Sequence, residues 1–462
     1  MEQTKRGSFS GSIGFVLAAA GSAVGLGNLW RFPYLAAKDG GGLFLLIYII
    51  LALTFGFALM ATEIAIGRKT KSSPISAYGK LSSKFKFLGP LASIVPIIIF
   101  PYYCVIGGWV SKYSFEYIIG AGMETVAENY FTSFITAYSP IFWCALFLGI
   151  SAVVVYYGVE KGIEKFSKVL MPALAIIIVA IAIFSLTLKD PASGRTAIDG
   201  LKIYLIPNFE GMTVGRIFRI TLDAMGQIFF SMSLAMGIMV TYGSYVKDDS
   251  NLVTSVNQIE IFDTAVALLA GLIMIPTVFT FQGAAGLEKA GPSLLFISLP
   301  QVFAQMGFIG HIVGALFFVL VLFAALTSSV SLLEAIVSIV MDKFELSRKK
   351  ATTYSVIVSS IIALVVCLGY NVLSFGVTLP NGATDQNLLD IMDYAINSVV
   401  MPIVALLTCV MVGWACKTTV ITDEIKKNGE KFSREGLYNV MIKFVAPVCL
   451  FLILISGFGV FA

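Results

Sequence analysis

The sequence predicts an all-α polytopic membrane protein of about eleven transmembrane helices, arranged as a 5+5 inverted repeat with helices 1 and 6 interrupted. Three observations carry this. The 462 residues are 58% hydrophobic and only 13% charged, with a mean hydropathy of +0.90. A soluble fold of this size would need far more charge to cover its surface. The apolar residues fall into eleven runs, most of them long enough to cross a bilayer. The first and sixth runs carry glycines and hydroxyl residues where a spanning helix should be most regular.

The first run, Ile13 to Ala37, contains GSAVGLGNLWRFP at 21–33. Gly21, Gly25 and Gly27 weaken a helix by roughly 1 kcal/mol each relative to Ala. Unwound backbone at membrane depth survives only where it faces protein or a water-filled cavity. Small residues also serve close helix packing, but a second broken run argues for a site. The spans are expected at 11–37, 42–67, 88–119, 140–157, 166–188, 215–243, 255–281, 309–342, 351–371, 389–416 and 438–461. They form one membrane domain over 1–462, with a first repeat at 11–188, a second at 215–416 and an additional helix at 438–461. The sixth span reads DAMGQIFFSMSLAMGIMVTYGSYV, with Ser231, Ser233 and Gly237 in mid-span after Gly226. Interruptions five spans apart point to inverted repeats with a binding site at their interface.

Lys and Arg fix the expected orientation. Twenty-one lie at the N-terminus, in 68–86, 161–168, 343–350 and 417–434, and at Lys247; eight lie in the alternate loops. The bias puts the N-terminus in the cytoplasm as a retained tail and, with an odd span count, the C-terminus outside. Two outer segments are long enough for structure: Lys189–Gly211, read as turns, and Gly283–Phe308, read as a hairpin dipping towards the membrane. Six cysteines, at 104, 144, 367, 409, 416 and 449, sit in apolar segments without a CxxC pair. Free buried thiols are expected. His311, the only histidine, is read as a surface residue. No HExxH, nucleotide motif or nucleic-acid signature is present, which argues against an intramembrane enzyme.

A broken helix has defined chemistry. Its free N–H groups and positive dipole end suit a carboxylate. Unwound carbonyls and opposite ends suit an ammonium group or a small hard cation. A site with both is matched to a zwitterion.

The motifs GSAVGLGNLWRFP at 21–33, DGGG at 39–42, EIAIGR at 63–68, GQIFFSMSL at 226–234, TYGSYV at 241–246 and AALTSS at 324–329 together resemble the neurotransmitter:sodium symporter family, and within it the prokaryotic amino-acid transporters. The resemblance implies sodium-coupled symport of an amino acid into the cell across the plasma membrane by alternating access. It implies two sodium sites, one from Ala23, Asn28, Ser231 and Asp263, the other from Gly21, Val24, Ala324, Thr327 and Ser328. It implies substrate contacts from Ser22, Ala23, Gly25, Leu26, Gly27, Ile99, Tyr103, Phe230, Ser231, Ser233, Met236, Ser328 and Leu332. Tyr103 would donate to the substrate carboxylate and Phe230 would close over the ligand. Arg31 with Asp393 would form an outer gate, and Arg6 with Asp342, flanked by Phe9 and Tyr245, an inner one.

Three departures from the family pattern refine this. Asp263 stands where relatives commonly have Asn, so a fixed carboxylate replaces a bound anion and transport is expected to be chloride-independent, with a proton returning on Asp263. Met236, flexible and unbranched, leaves room for a hydrophobic or aromatic amino acid. Gly25 stands where amine carriers have Asp, so the substrate brings its own carboxylate. Only eleven spans are visible where many relatives have twelve. Gly162 and Pro172 bracket the start of span five as a point of local unwinding. Glu63, Asp263 and Asp223 are intramembrane carboxylates, which default to functional roles. The alternative reading is a sodium-dependent amino-acid receptor of the same fold that does not translocate.

Overall fold

The computed structural model describes residues 7–127, 129–288 and 291–460, and these are almost entirely helical. The longer helices in chain order are α1 (Ser12–Ala23), α2 (Gly27–Lys38), α3 (Gly42–Thr70), α4 (Ser83–Ile118), α5 (Ser139–Tyr156), α6 (Val159–Ser185) and α7 (Ala197–Leu205). They continue with α8 (Val214–Ser231), α9 (Ile238–Tyr245), α10 (Leu252–Gln282), α11 (Phe308–Phe344), α12 (Arg348–Leu368), α13 (Leu388–Ala415) and α14 (Glu435–Ser456). Among the described residues nine helices are long and apolar enough to cross a membrane, ten if α1 and α2, bent by 53°, count as one. The remaining expected span is split into α8 and α9. The largest boundary difference is at span five, which starts at Val159 rather than 166. A π-helical turn over Val159–Glu164 extends it, and the helix runs on through Gly162 and Pro172 without a break.

Helix starts follow their capping chemistry. Asn251 accepts from Thr254 N at 2.8 Å to begin α10. Asn387 accepts from Leu389 N at 2.9 Å to begin α13. The segment Lys189–Gly211, expected as turns, holds α7, because Thr196 and Asp199 form a reciprocal capping box. Within the segment Gly283–Phe308, helical turns over Leu294–Ser298 and Leu299–Gln305 bury Leu295, Phe296 and Val302. His311 is half-buried beside Tyr117 rather than exposed. The cysteines are free, but only four are buried; Cys416 and Cys449 are partly exposed.

The core is a seam of long helices. α4 lies along α11, and Ser114 Oγ donates to Phe318 O at 2.9 Å between them. α3 lies against α9 through glycines on both sides. A Cβ on Gly67 would stand 2.8 Å from Ser244 N, and one on Gly243 would stand 2.9 Å from Ile64 Cα. This backbone-to-backbone contact is the small-residue packing of membrane helices. It holds the short α9 in place below the break. On the Lys-rich side Asp248 ties the loop after α9 to the segment after α13. A hydrogen bond from Lys71, then one from Lys427, hold its carboxyl below the usual range.

Gly243→Val drives a branched side chain into the Ile64 backbone. Overpacking of this kind costs about 1–3 kcal/mol, so the variant is expected to melt several degrees lower in detergent. An unchanged melting curve would show that α3 and α9 have slack.

Candidate functional site

The two breaks meet. α1 ends where Val24 turns to extended backbone, with φ −71° and ψ 105°. The chain resumes in a π-helical turn at Gly27–Arg31. α8 ends at Ser231, and six residues pass before Ile238 begins α9. Within them Ser233, Ala235 and Gly237 have φ of 53°, 58° and 73°. Left-handed backbone is strained for Ser and Ala, and here neighbours hold it. Ser233 Oγ donates to Ser22 O at 3.0 Å and lies 3.3 Å from Ser22 Oγ. Ala235 N donates to Glu63 Oε1 at 2.7 Å. Glu63 is 4% exposed, and its other oxygen has no partner.

Several backbone groups of the first break are met by side chains. Gly25 N donates to Asn28 Oδ1 at 3.1 Å. Gln227 Nε2 donates to Gly27 O at 3.0 Å. Ser328 Oγ lies 3.1 Å from Ser22 O and 3.2 Å from Val24 O.

One cavity opens between the breaks. Its lining contains all thirteen residues expected to contact substrate, from Ser22 to Leu332, together with Asn28 and Ile238. Both glycines lie close against the site: a Cβ at Gly25 would stand 2.9 Å from Ser328 Oγ, and one at Gly27 2.6 Å from the Phe230 ring. The Tyr103 hydroxyl is buried with no hydrogen-bond partner.

The residues expected at the first sodium site are also brought together. Asn28 Nδ2 donates to Asp263 Oδ1 at 2.8 Å, and Ser231 Oγ to Asp263 Oδ2 at 3.0 Å. Asp263 is fully buried. Those of the second site gather where α1 crosses α11. A Cβ on Gly21 would stand 3.2 Å from Thr327 Cβ, and Thr327 Oγ1 bonds to Ala324 O at 3.1 Å.

The gates differ. Arg31 and Asp393 form no ion pair within 4.0 Å among the described residues. Arg31 instead sits 5.9 Å over the Phe230 ring. Asp393 is held by Tyr102 at 2.9 Å and Asn397 at 2.5 Å. A chamber of about 210 Å³, lined by Arg31, Asp223 and Asn397, lies on the other side of Phe230. Asp223 has Lys38 as partner at 3.3 Å.

The opposite end is shut. Arg6 lies outside the described residues. Asp342 accepts from Ser73 N at 2.6 Å. Phe9 is 1% exposed, packs against Phe15, Tyr242 and Tyr245, and donates its N–H to Tyr245 O at 3.2 Å.

Sequence reasoning missed a second fastening here. Glu334 is fully buried, accepts from Tyr245 OH at 2.6 Å, and pairs with Arg348 at 2.6 and 2.7 Å. It also missed Glu164, which accepts from Ser10 and Lys168, and Gln227. A Glu inside the apolar eighth run, one turn below AALTSS, was the available signal.

Residues 6–123 and 130–462 match the sodium:neurotransmitter symporter family, and the chain belongs to it. The chain is 34% identical to the sodium-dependent transporter YhdH of Bacillus subtilis, over 100% of this chain and 99% of YhdH. It is 32% identical to the sodium-dependent transporter MJ1319 of Methanocaldococcus jannaschii, over 93% and 86%. The fold is similar to the crystal structure of MhsT in complex with L-phenylalanine, with a TM-score of 0.85 and 35% identity over 98% of this chain and 100% of that one. The protein is a multi-pass membrane transporter coupled to sodium, and its family is one of secondary transporters rather than enzymes.

Glu334→Ala strips Arg348 and Tyr245 of their shared acceptor. Breaking one side of a buried pair costs about 3–5 kcal/mol, borne by the closed end. Thr241 is fully buried in α9, and the thiol of Thr241→Cys is expected to react with a membrane-impermeant reagent faster when Glu334→Ala is also present. Unchanged labelling would show that the pair does not hold the closure.

Proposed function

We propose that the protein carries a hydrophobic or aromatic L-amino acid into the cell with sodium, by alternating access and without chloride. The supporting observation is the pairing of the two breaks around a cavity with one apolar and one polar end. Ile99, Phe230, Met236 and Leu332 form the apolar side. The break at Val24–Leu26 and the unpartnered Tyr103 hydroxyl form the polar side. The N–H groups and the phenol suit a carboxylate, and the Ser233-bearing break suits an ammonium. The free room is about 30 Å³, enough for roughly two waters and too little for an amino acid. Phe230 and Met236 must therefore part to admit substrate, and Met is suited to that.

In this reading Ala23, Asn28, Ser231 and Asp263 hold one sodium beside the substrate carboxylate. Gly21, Val24, Ala324, Thr327 and Ser328 hold a second at the α1–α11 crossing. Arg31 and Asp393 approach as Phe230 closes. The two repeats, 11–188 and 215–416, move against each other, with 438–461 outside them. The N-terminus is cytoplasmic and the C-terminus external. Unwinding between Gly162 and Pro172 frees the second sodium inward, since Ser10 and α6 meet at Glu164 beside that turn.

Uptake of labelled phenylalanine into vesicles is expected only with an inward sodium gradient, with Trp, Tyr and Leu competing and glycine and dopamine not. Competition by glycine or dopamine over Leu overturns the substrate class; sodium-dependent binding without accumulation favours a receptor.

Replacing chloride by a large organic anion is expected to leave uptake unchanged, because Asp263 supplies the negative charge. Loss of uptake on chloride removal refutes that role.

A further inference from the structure

A groove of about 310 Å³ runs between α5 and α12 at their Lys-rich ends, remote from the central cavity. Its walls are apolar, from Val153, Val356 and Ile357. Three features separate it from an ordinary furrow facing lipid tails.

The first is Thr352. It lines the groove, is 2% exposed, and its hydroxyl has no hydrogen-bond partner. Buried hydroxyls are normally partnered. The adjacent Thr353 shows the usual helical solution, donating to Lys349 O at 2.9 Å. Thr352 is left for an acceptor that enters the groove.

The second is charge. Lys349 Nζ stands 5.7 Å over the Tyr156 ring, which fixes an ammonium at the mouth. Lys350 follows it. Among the described residues neither lysine has an ion-pair partner within 4.0 Å, and no residue lining the groove is acidic. The third is the rim. Tyr156 and Tyr157 meet edge-on at 6.1 Å, with Tyr157 65% exposed. Tyrosines in this position mark the level of the lipid headgroups.

We propose that this groove binds one anionic phospholipid of the bilayer. An acyl chain lies along Val153, Val356 and Ile357. The phosphate and its anionic headgroup lie at Lys349 and Lys350. Thr352, three residues or about 4.5 Å deeper along the helix, donates to an ester carbonyl oxygen. A zwitterionic headgroup brings a cation for which the groove holds no carboxylate. The neighbouring Arg348 holds Glu334 and also donates to Val155 O at 3.0 Å. The lipid therefore sits against the fastening of the shut end.

The full-length transporter, purified in detergent, is offered phosphatidylglycerol or phosphatidylcholine and weighed by native mass spectrometry. The wild type is expected to retain one phosphatidylglycerol, with a preference of about thirtyfold from two lysines near the surface. Lys349→Gln with Lys350→Gln is expected to bring the two lipids level. Val356→Trp, or Ile357→Trp if that fails to fold, fills the groove and is expected to abolish retention. Sodium-dependent uptake by each variant checks its fold. Equal retention of both lipids by the wild type, no retention, or retention unaffected by the Trp variants overturns the proposal. A change from dimer to monomer in the Trp variants overturns it too, since the occupant is then a second copy of the chain.

Discussion

Backbone polar groups have no water to turn to in the middle of a bilayer, and this chain twice leaves a helix open there. Neither break is tolerable alone, because each exposed N–H or C=O in hydrocarbon costs several kcal/mol. The structure resolves this by making each break the other's partner. Ser233 in the second break donates to Ser22 O at the edge of the first. Side chains from four other positions cover most of what remains: Asn28, Gln227, Ser328 and Glu63. These contacts come from α2, α3, α8, α11 and the second break itself. The site is therefore a junction, and any rearrangement of one helix is felt at the others.

The two ends of that junction are fastened unequally. At one end Arg31 and Asp393 stand apart, each engaged with neutral groups, and a chamber reaches down to Phe230. On the Lys-rich side the start of the chain is strapped down. Ser10 is bonded to Glu164 of α6, and Lys247 donates to Ser10 O at 2.8 Å. Phe9 fills the space between Phe15, Tyr242 and Tyr245. Behind it Glu334 and Arg348 join α11 to α12 and, through Tyr245, to α9. The segment leading into α1 cannot swing at this end without releasing Glu164 and Tyr245. These ties are polar and hydrogen-bonded, so water entering from the Lys-rich side competes directly with them.

The spans and breaks were legible because lipid leaves few solutions: an apolar run of some twenty residues is a helix, and clustered Gly and Ser inside one mark an interruption. The cavity lining was legible through the resemblance of GSAVGLGNLWRFP and GQIFFSMSL, since residues flanking a break must face what fills it. What escaped sequence reasoning depends on register between distant helices. Nothing in the string places Glu334 opposite Arg348, or the Gln227 amide on the Gly27 carbonyl. The expected pair of Arg31 and Asp393 shows the limit from the other direction. Opposite charges at 31 and 393 imply attraction, but Tyr102 and Asn397 already occupy Asp393. The helix in Lys189–Gly211 was missed for a local reason: PASG and IPNFEG read as turns, and they flank a capping box that was overlooked.

In the proposed reading Asp263 ties these threads to coupling. Its carboxylate is fully buried, and the groups that bond to it, Asn28 and Ser231, are neutral. A buried anion without a counter-charge is expensive, and neutral donors offset only part of that. In the proposed reading sodium supplies the missing charge, and the substrate carboxylate arrives on the same ion. Sodium without substrate sits beside one carboxylate and lacks a ligand. Substrate without sodium sets two anions against each other in a dry cavity. Each therefore raises the affinity for the other, as linkage requires, and the structural root of this reciprocity is one acidic side chain placed where the chain has no basic one.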